Sequence, residues 1–286
     1  MSNPTFQRRR RRLKGRTIAA IIALTIVAGW SLAPLYFVLT SSIKKPLDIF
    51  AWPPQFLPTS PTLSNFTDLF ANQPEFAVGL RNSLIIAVLT TALALVVSMF
   101  AAYAFSRFPS KLIRRGGIGI IALRMFPPII VSIPLYPILI ALGLSNSLIT
   151  LVVLYATLES TVLTWQMKSF LDAIPRELDE AAHLDGASSM AFFWRVIVPL
   201  SRPVLATGAV MAALYSWNEF QFGLLFLSGE NRTAPVIIGG LTKSLTGVVW
   251  GQVFAASVVQ FIPALAFLLL VQRSLVKGVT AGAIKG

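Results

Sequence analysis

The sequence predicts an all-α membrane protein with six transmembrane helices and both termini in the cytoplasm. Three observations support this prediction. Hydrophobic residues make up 55% of the 286-residue chain and charged residues only 12%, whereas soluble domains average about 45–50% and about 25%. The apolar residues are grouped into long segments, and the cations are concentrated between alternate segments. This composition excludes a soluble, disordered or collagen-like chain.

Six apolar segments of roughly 20 residues are long enough to cross a bilayer as helices. They lie at 17–39, 83–105, 117–142, 146–167, 203–227 and 253–271. We therefore predict a basic cytoplasmic tail at 1–16 and a transmembrane domain at 17–286. The third segment contains Arg124 and several prolines, so we expect it to be kinked or locally irregular. The first segment is too long for the apolar part of a cleaved signal peptide, and we expect it to be retained.

The cations set the predicted orientation. Of the 24 Lys and Arg residues, 18 fall on the side that holds both termini and five on the other side. Cytoplasmic loops of membrane proteins carry an excess of Lys and Arg, so the crowded side is predicted to be cytoplasmic. The run from Arg8 to Arg12 is interpreted as part of this signal and as a contact for anionic lipid rather than for nucleic acid.

The segment at 168–202 is the one strongly polar block between predicted spans, with five of the 11 acidic residues. Pro175 suits the first position of a helix, and the acidic residues that follow it suit the first turns, where the helix dipole favours anions. Gly186 can end this helix and reverse the chain. Ser188 or Ser189 can cap a second, apolar helix that Pro199 stops. The pattern predicts a helix–turn–helix at the membrane surface, and an interfacial amphipathic helix without a partner stays the alternative.

The spacing within this block carries a resemblance. Glu180-Ala181-Ala182 is followed after three residues by Gly186, and after nine more by Val196-Ile197-Val198-Pro199. This pattern resembles the EAA loop of ABC importer permeases, in which the last motif reads Ile-x-Leu-Pro. The two valines are conservative replacements.

Three further segments are similar to carbohydrate permeases of the maltose type. They are the AAYAFSRF segment at 101–108, the WNEF segment at 217–220 and the C-terminal segment at 271–286. The resemblance covers about residues 15–286 and places the chain with the second of the two maltose-type permeases. The fourth span departs from the pattern, because Leu158-Glu159-Ser160-Thr161 stands where relatives carry a Leu-Pro step.

The resemblance implies a type I ABC importer permease fold with cytoplasmic coupling helices, in a bacterial-type plasma (inner) membrane. It implies that the chain forms half of the translocation pathway of a binding-protein-dependent carbohydrate importer. The implied partners are a homologous second permease, two ATPase subunits that bind ATP and Mg, an extracytoplasmic sugar-binding protein and membrane lipid. The residues implied to couple to the ATPase are Glu180, Ala181, Ala182, Asp185, Gly186 and Ala187.

The sequence does not predict an enzyme. Leu241-Thr242-Lys243-Ser244 lacks the glycine that precedes the lysine of a phosphate-binding loop. The chain has no cysteine and one histidine, His183, so we expect no disulfide, no nucleophile–base pair and no metal site. We predict no catalytic residue and no cofactor in this chain, with ATP hydrolysis in a separate subunit.

Arg124, Glu159 and Glu219 fall within predicted spans. Insertion of a charge at a helix centre costs about 2.5–3.5 kcal/mol, so such residues tend to face a cavity or a partner. With Asn218 they are the candidate substrate-pathway residues. The alternative for Glu219 is a polar lock between helices or with the partner permease. The alternative for Arg124 is that it pairs with Glu159 across adjacent helices. An ion-gradient-driven secondary transporter that uses Glu159 and Glu219 is the alternative function.

Overall fold

The computed structural model describes residues 4–108, 110–242 and 247–283, with side chains left undescribed at 4–16, at 271–283 and at some positions of 112–124. Within these residues all regular structure is helical. The helices are α1 (Pro4–Ser42), α2 (Ser64–Asn72), α3 (Glu75–Arg107), α4 (Lys111–Arg124), α5 (Pro128–Ala141), α6 (Leu148–Asp172), α7 (Glu177–Leu184), α8 (Ser189–Phe192), α9 (Val198–Leu200), α10 (Arg202–Asn218), α11 (Gln221–Phe226), α12 (Ala234–Leu241) and α13 (Trp250–Ala283). The backbone of the predicted basic tail is helical from Pro4 onward.

Four helices of the described chain are long and apolar enough to cross a membrane. They are Thr17–Ser42 within α1, then Glu75–Arg107, Leu148–Asp172 and Trp250–Leu270. A bent pair, Ser189–Leu200 with Arg202–Asn218, provides a fifth if it is counted as one span. The structure therefore supports four or five crossings by length and composition, and the count of six stays a prediction.

Two of the predicted spans are interrupted. The third is divided between α4 and α5 at residues 125–127. This break agrees with the predicted irregularity, because Pro127 and Pro128 lack the N–H that would continue the helical ladder. The fifth was predicted as one helix over 203–227, but α10 ends at Asn218 and α11 begins at Gln221. Glu219 and Phe220 form the break.

The described chain divides into two compact units. The first comprises Met1–Asn72 and Leu241–Val258. In it, the buried Asn65 amide donates hydrogen bonds to the carbonyls of Ser42 and Lys44, both at 2.8 Å. A Cβ at Gly251 would clash with the Asn65 side chain, so only glycine leaves room for this side chain.

The second unit comprises Gln73–Gly240 and Val259–Gly286, and its core lies between α3, α6 and α10. Gly208 of α10 allows close approach, because a Cβ there would lie 3.3 Å from side-chain atoms of Leu95, Leu163 and Met167. The buried core continues past the ends of these helices and includes Phe192, Phe193 and Ile197 from the polar block. These three buried residues anchor the polar block, which carries the candidate site, to the core of this unit.

Candidate functional site

The polar block folds into a helical hairpin, which we call the α7–α8 hairpin and which spans residues 177–200. The turn after α7 depends on Gly186, whose φ of +77° lies in the left-handed region. The Gly186 N–H donates to the His183 carbonyl at 3.0 Å and the Ala187 N–H donates to the Ala182 carbonyl at 2.9 Å. This pair of bonds is the Schellman motif, which satisfies the last carbonyls of a helix and favours glycine at the left-handed position. Gly186 thus ends the helix and turns the chain, as predicted.

The second arm begins at Ser188, whose hydroxyl accepts a hydrogen bond from the Ala191 N–H at 3.2 Å. Of the two candidate caps, Ser188 is the one that the structure uses. The arm ends at Leu200, one residue after the predicted stop at Pro199, and the chain bends by 74° before α10 begins at Arg202. A π-helical turn at Phe193–Ile197 precedes Pro199. The regular hydrogen-bond ladder is already interrupted there, so a residue without an N–H is tolerated.

The two arms have opposite surroundings. The second arm is held in the core by Phe192, Phe193 and Ile197, all fully buried, and Phe193 stacks on Phe100 of α3 with ring centroids 4.8 Å apart. By contrast, α7 has no buried residue. The hairpin is therefore anchored by one arm and presents the other.

The exposed surface of α7 carries the residues of the EAA pattern. Glu180, Ala181 and Asp185 are exposed, and the Leu184 side chain is 90% exposed. Ala182 differs, because it is half-buried and packs against the core. Gly186 and Ala187 lie in the turn that follows. The structure thus brings all six predicted coupling residues together, with Ala182 facing inward.

Arg107, the last residue of α3, connects α7 to the rest of this unit. Its side chain is 7% exposed, and its Nε lies 3.0 Å from Oδ2 and 3.1 Å from Oδ1 of Asp179, whose side chain is 19% exposed. The guanidinium also donates to the carbonyls of Leu171 at 3.2 Å and Ile174 at 3.3 Å. One side chain therefore contacts the ends of α3 and α6 and the first turn of α7.

A second set of polar contacts lies beside Arg107. The Ser106 hydroxyl donates to Asp172 Oδ1 at 2.7 Å, and Lys168 pairs with the other carboxylate oxygen of Asp172. Arg176 donates to the Ser106 carbonyl at 3.4 Å. These bonds join α3 to the end of α6 independently of Asp179.

An open cavity of about 210 Å³ lies between the end of α3 and α7. Its lining includes Tyr103, Arg107, Asp179, Glu180 and His183. The Tyr103 hydroxyl donates to the Ser189 carbonyl at 3.4 Å and closes the cavity on the side of the second arm. Both signs of charge meet here, at the junction of the hairpin and α3.

The four candidate substrate-pathway residues lie on α4, α6 and α10 and at the break that follows α10. Asn218 is exposed at the end of α10, and its amide donates to the Leu214 carbonyl at 2.8 Å. Glu159 lies within α6 and is 3% exposed. Arg124 ends α4, but its side chain lies outside the described residues, so its predicted pairing with Glu159 stays a prediction.

Glu219 is engaged by protein donors on both carboxylate oxygens. Oε1 accepts from the Phe222 N–H at 2.9 Å, and Oε2 accepts from the Gly223 N–H at 3.3 Å and from the Tyr155 hydroxyl of α6. This arrangement matches the polar lock that was the alternative to a substrate contact.

Sequence reasoning missed the roles of Arg107, Asp179 and Tyr155. Arg107 stands inside the AAYAFSRF segment, and that motif was the available signal. Asp179 was noted only as an acidic residue of a first turn. No local pattern indicated that Tyr155 would bond to Glu219.

Comparison with known proteins decides the family. Residues 94–280 match the family described as binding-protein-dependent transport system inner membrane component. The chain belongs to this family. It is therefore a permease subunit of the inner membrane, and the predicted ABC importer permease fold and localisation are confirmed. The family does not support the ion-gradient alternative.

Two curated relatives are similar along nearly the whole chain. The sulfoquinovosyl glycerol transport system permease protein SmoH of Agrobacterium fabrum is 35% identical over 266 residues, covering 93% of each chain. The trehalose/maltose transport system permease protein MalG of Thermococcus litoralis is 35% identical over 279 residues, covering 95% of this chain and 98% of the relative.

A solved structure has the same fold. A chain of a bacterial ABC transporter involved in the import of the acidic polysaccharide alginate superposes with a TM-score of 0.74 at 21% identity. The superposition covers 96% of this permease and 98% of the other chain.

Proposed function

We propose that this permease forms half of the translocation pathway of an ATP-driven sugar importer and couples to its ATPase subunits through the loop at 168–202. The observation that carries the proposal is the asymmetry of the α7–α8 hairpin. One arm is buried in the permease core by Phe192 and Phe193, while α7 keeps no buried residue and exposes Leu184. A hairpin with one arm buried in the core and the other arm exposed is suited to receive a partner subunit on the exposed arm.

A sugar is the proposed substrate class. Two relatives that match this permease over nine-tenths of its length are named for transport of sulfoquinovosyl glycerol and of trehalose or maltose. Both names describe carbohydrate-containing solutes with many hydroxyl groups. The substrate-pathway roles of Asn218, Glu219, Glu159 and Arg124 stay proposals.

The proposed assembly contains a second, homologous permease, two ATPase subunits and an extracytoplasmic sugar-binding protein. ATP and Mg are proposed to bind in the ATPase subunits, since this chain lacks a phosphate-binding loop. Closure of the ATPase pair would move α7, and the buried second arm would pass the movement to α3, α6 and α10. The translocation pathway would then open alternately to the two sides of the membrane.

The test is ATP-dependent uptake by the reconstituted complex, using a panel of labelled sugars. The double variant Glu180→Ala with Gly186→Ala should hydrolyse ATP while losing most uptake. Alanine at Gly186 is strained because its φ is +77°, at a cost of about 1–2 kcal/mol. Unchanged uptake in this double variant would contradict the proposed coupling role.

A matched control separates coupling from backbone strain. Gly143, between α5 and α6, has a φ of +67° and open space around it, as Gly186 does. Gly143→Ala should therefore carry a similar strain but keep ATP hydrolysis coupled to uptake. Uptake by this permease alone, in vesicles without any ATPase and driven by an ion gradient, would overturn the proposal as a whole.

A further inference from the structure

We infer that Arg107 is a positioning residue that clamps the α7–α8 hairpin to the ends of α3 and α6, so that movement of the hairpin is passed to both helices. The inference rests on the proposed function. It assigns a role to an ion pair that joins residues 72 positions apart in the sequence.

The guanidinium of Arg107 lies where its charge is favoured. Leu171 belongs to the last turn of α6 and Ile174 follows that helix, and the carbonyls of both accept hydrogen bonds from Arg107. Carbonyls at a helix C-terminus lack partners within the helix and carry the negative end of its dipole. A buried cation there satisfies them, which a neutral side chain of similar length cannot do as well.

The Arg107–Asp179 pair links this helix end to α7. Nε of Arg107 faces both oxygens of the carboxylate, at 3.0 and 3.1 Å. Asp179 lies in the first turn of α7, where a carboxylate is favoured by the helix dipole. The planar guanidinium fixes the direction of each bond, so α7 is held in one orientation relative to α3 and α6.

Among the bonds described above, the Arg107–Asp179 pair is the one that holds a side chain of α7 itself. The Ser106–Asp172 bond joins α3 to α6 but does not reach α7. Tyr103 reaches the hairpin at the Ser189 carbonyl, on the second arm. Without the Arg107–Asp179 pair, α7 would be attached to this unit through the chain on either side of it, the long Arg176–Ser106 bond and the inward-facing Ala182. A force applied to α7 would then move α7 itself rather than α3 and α6.

A residue that only stabilised the fold would change the amount of complex, not the efficiency of coupling. The decisive readout is therefore the number of ATP molecules hydrolysed per sugar imported, measured on purified, fully assembled complexes in proteoliposomes. The variants are Arg107→Gln, Asp179→Asn and the double variant. Arg176→Gln is the matched control, because Arg176 lies next to α7 and makes one long bond to the Ser106 carbonyl.

Arg107→Gln should raise the ATP cost per sugar about fivefold, within the range by which residues that connect two sites alter coupling. Asp179→Asn should raise it by about twofold to threefold, because the bonds of Arg107 to the α6 carbonyls remain. The double variant should match Arg107→Gln alone, since both changes remove the same link. Arg107→Lys should give an intermediate value, because a lysine keeps the charge but not the planar fork. Arg176→Gln should stay at the wild-type ratio.

The inference is wrong if assembled Arg107→Gln complexes keep the wild-type ratio, or if the effects of the two single variants add in the double variant. Should Arg107→Gln fail to assemble, Asp179→Asn decides, and a wild-type ratio there rejects the clamp. Absence of ATP-dependent uptake by the wild-type complex would instead reject the proposed function. Normal wild-type uptake with an unchanged ratio in the variants would reject this inference alone.

Discussion

The hydroxyl of Tyr155 on α6 donates a hydrogen bond to the carboxylate of Glu219, which stands at the break between α10 and α11. The same carboxylate accepts hydrogen bonds from the Phe222 and Gly223 N–H groups at the start of α11. Glu219 therefore caps a short helix and ties it to α6. A backbone interruption in an apolar environment needs such partners, because unpaired N–H groups are costly there.

We expect Tyr155→Phe to destabilise the permease by about 1 kcal/mol, in line with hydrogen bonds between membrane helices. For a chain of this size that loss corresponds to a melting temperature lower by about 2–4 °C. Thermal unfolding of the purified complex checks it. Tyr136→Phe is the control, because the Tyr136 hydroxyl forms no hydrogen bond within the part of the chain that the structure describes. Equal melting temperatures for the two variants would show that the Tyr155–Glu219 bond is not stabilising.

Combining Tyr155→Phe with Glu219→Gln tests the lock itself. If the two side chains act through one bond, the double variant should lose less stability than the sum of the single losses, by about 0.6–1.7 kcal/mol. The measurement is a double-mutant cycle on melting temperatures. If the losses of stability in the two single variants simply add up in the double variant, each residue acts separately.

Gly208 should not tolerate a large side chain. A Cβ added there would lie 3.3 Å from atoms of Leu95, Leu163 and Met167. Gly208→Leu would therefore overpack the contact of α10 with α3 and α6, at a cost of about 1–3 kcal/mol. Gly119→Leu is the matched control, since a Cβ at Gly119 of α4 meets nothing within 4 Å. Expression and thermal stability should fall for the Gly208 variant only.

Substitution of Leu184 tests whether the exposed surface of α7 binds the ATPase. Its side chain is 90% exposed, as is that of Leu47 in the other unit. Because neither leucine contributes to the core, Leu184→Asp and Leu47→Asp should both leave the thermal stability of the permease within about 0.5 kcal/mol. Leu184→Asp should nevertheless reduce co-purification of the ATPase subunits severalfold, while Leu47→Asp should not. Equal co-purification would argue against α7 as the docking surface for the ATPase.

Much of the candidate site could be predicted because its signals are local. The composition and long apolar segments indicated a membrane protein without any knowledge of contacts. Gly186 and Ser188 act on bonds within five residues of themselves, so the turn and the cap could be read from the order of residue types. The break at 125–127 followed from two adjacent prolines.

Other features depended on residues that meet only after packing. Arg107 and Asp179 are 72 positions apart, and Tyr155 and Glu219 are 64 apart. The division of the predicted fifth span at Glu219 could not be foreseen for the same reason, since the capping carboxylate is also held by α6. The π-helical turn at Phe193–Ile197, just before the predicted stop at Pro199, was not predicted.

Hydropathy and backbone preference act over a few residues, so the membrane environment of this permease, its helical character and the turn of the hairpin follow from the order of residues alone. Tertiary structure alone decided which arm of the hairpin is buried, which cation holds α7 and which hydroxyl reaches Glu219. Those outcomes depend on how α3, α6 and α10 pack together, and side chains far apart in the chain become neighbours only once that packing has formed.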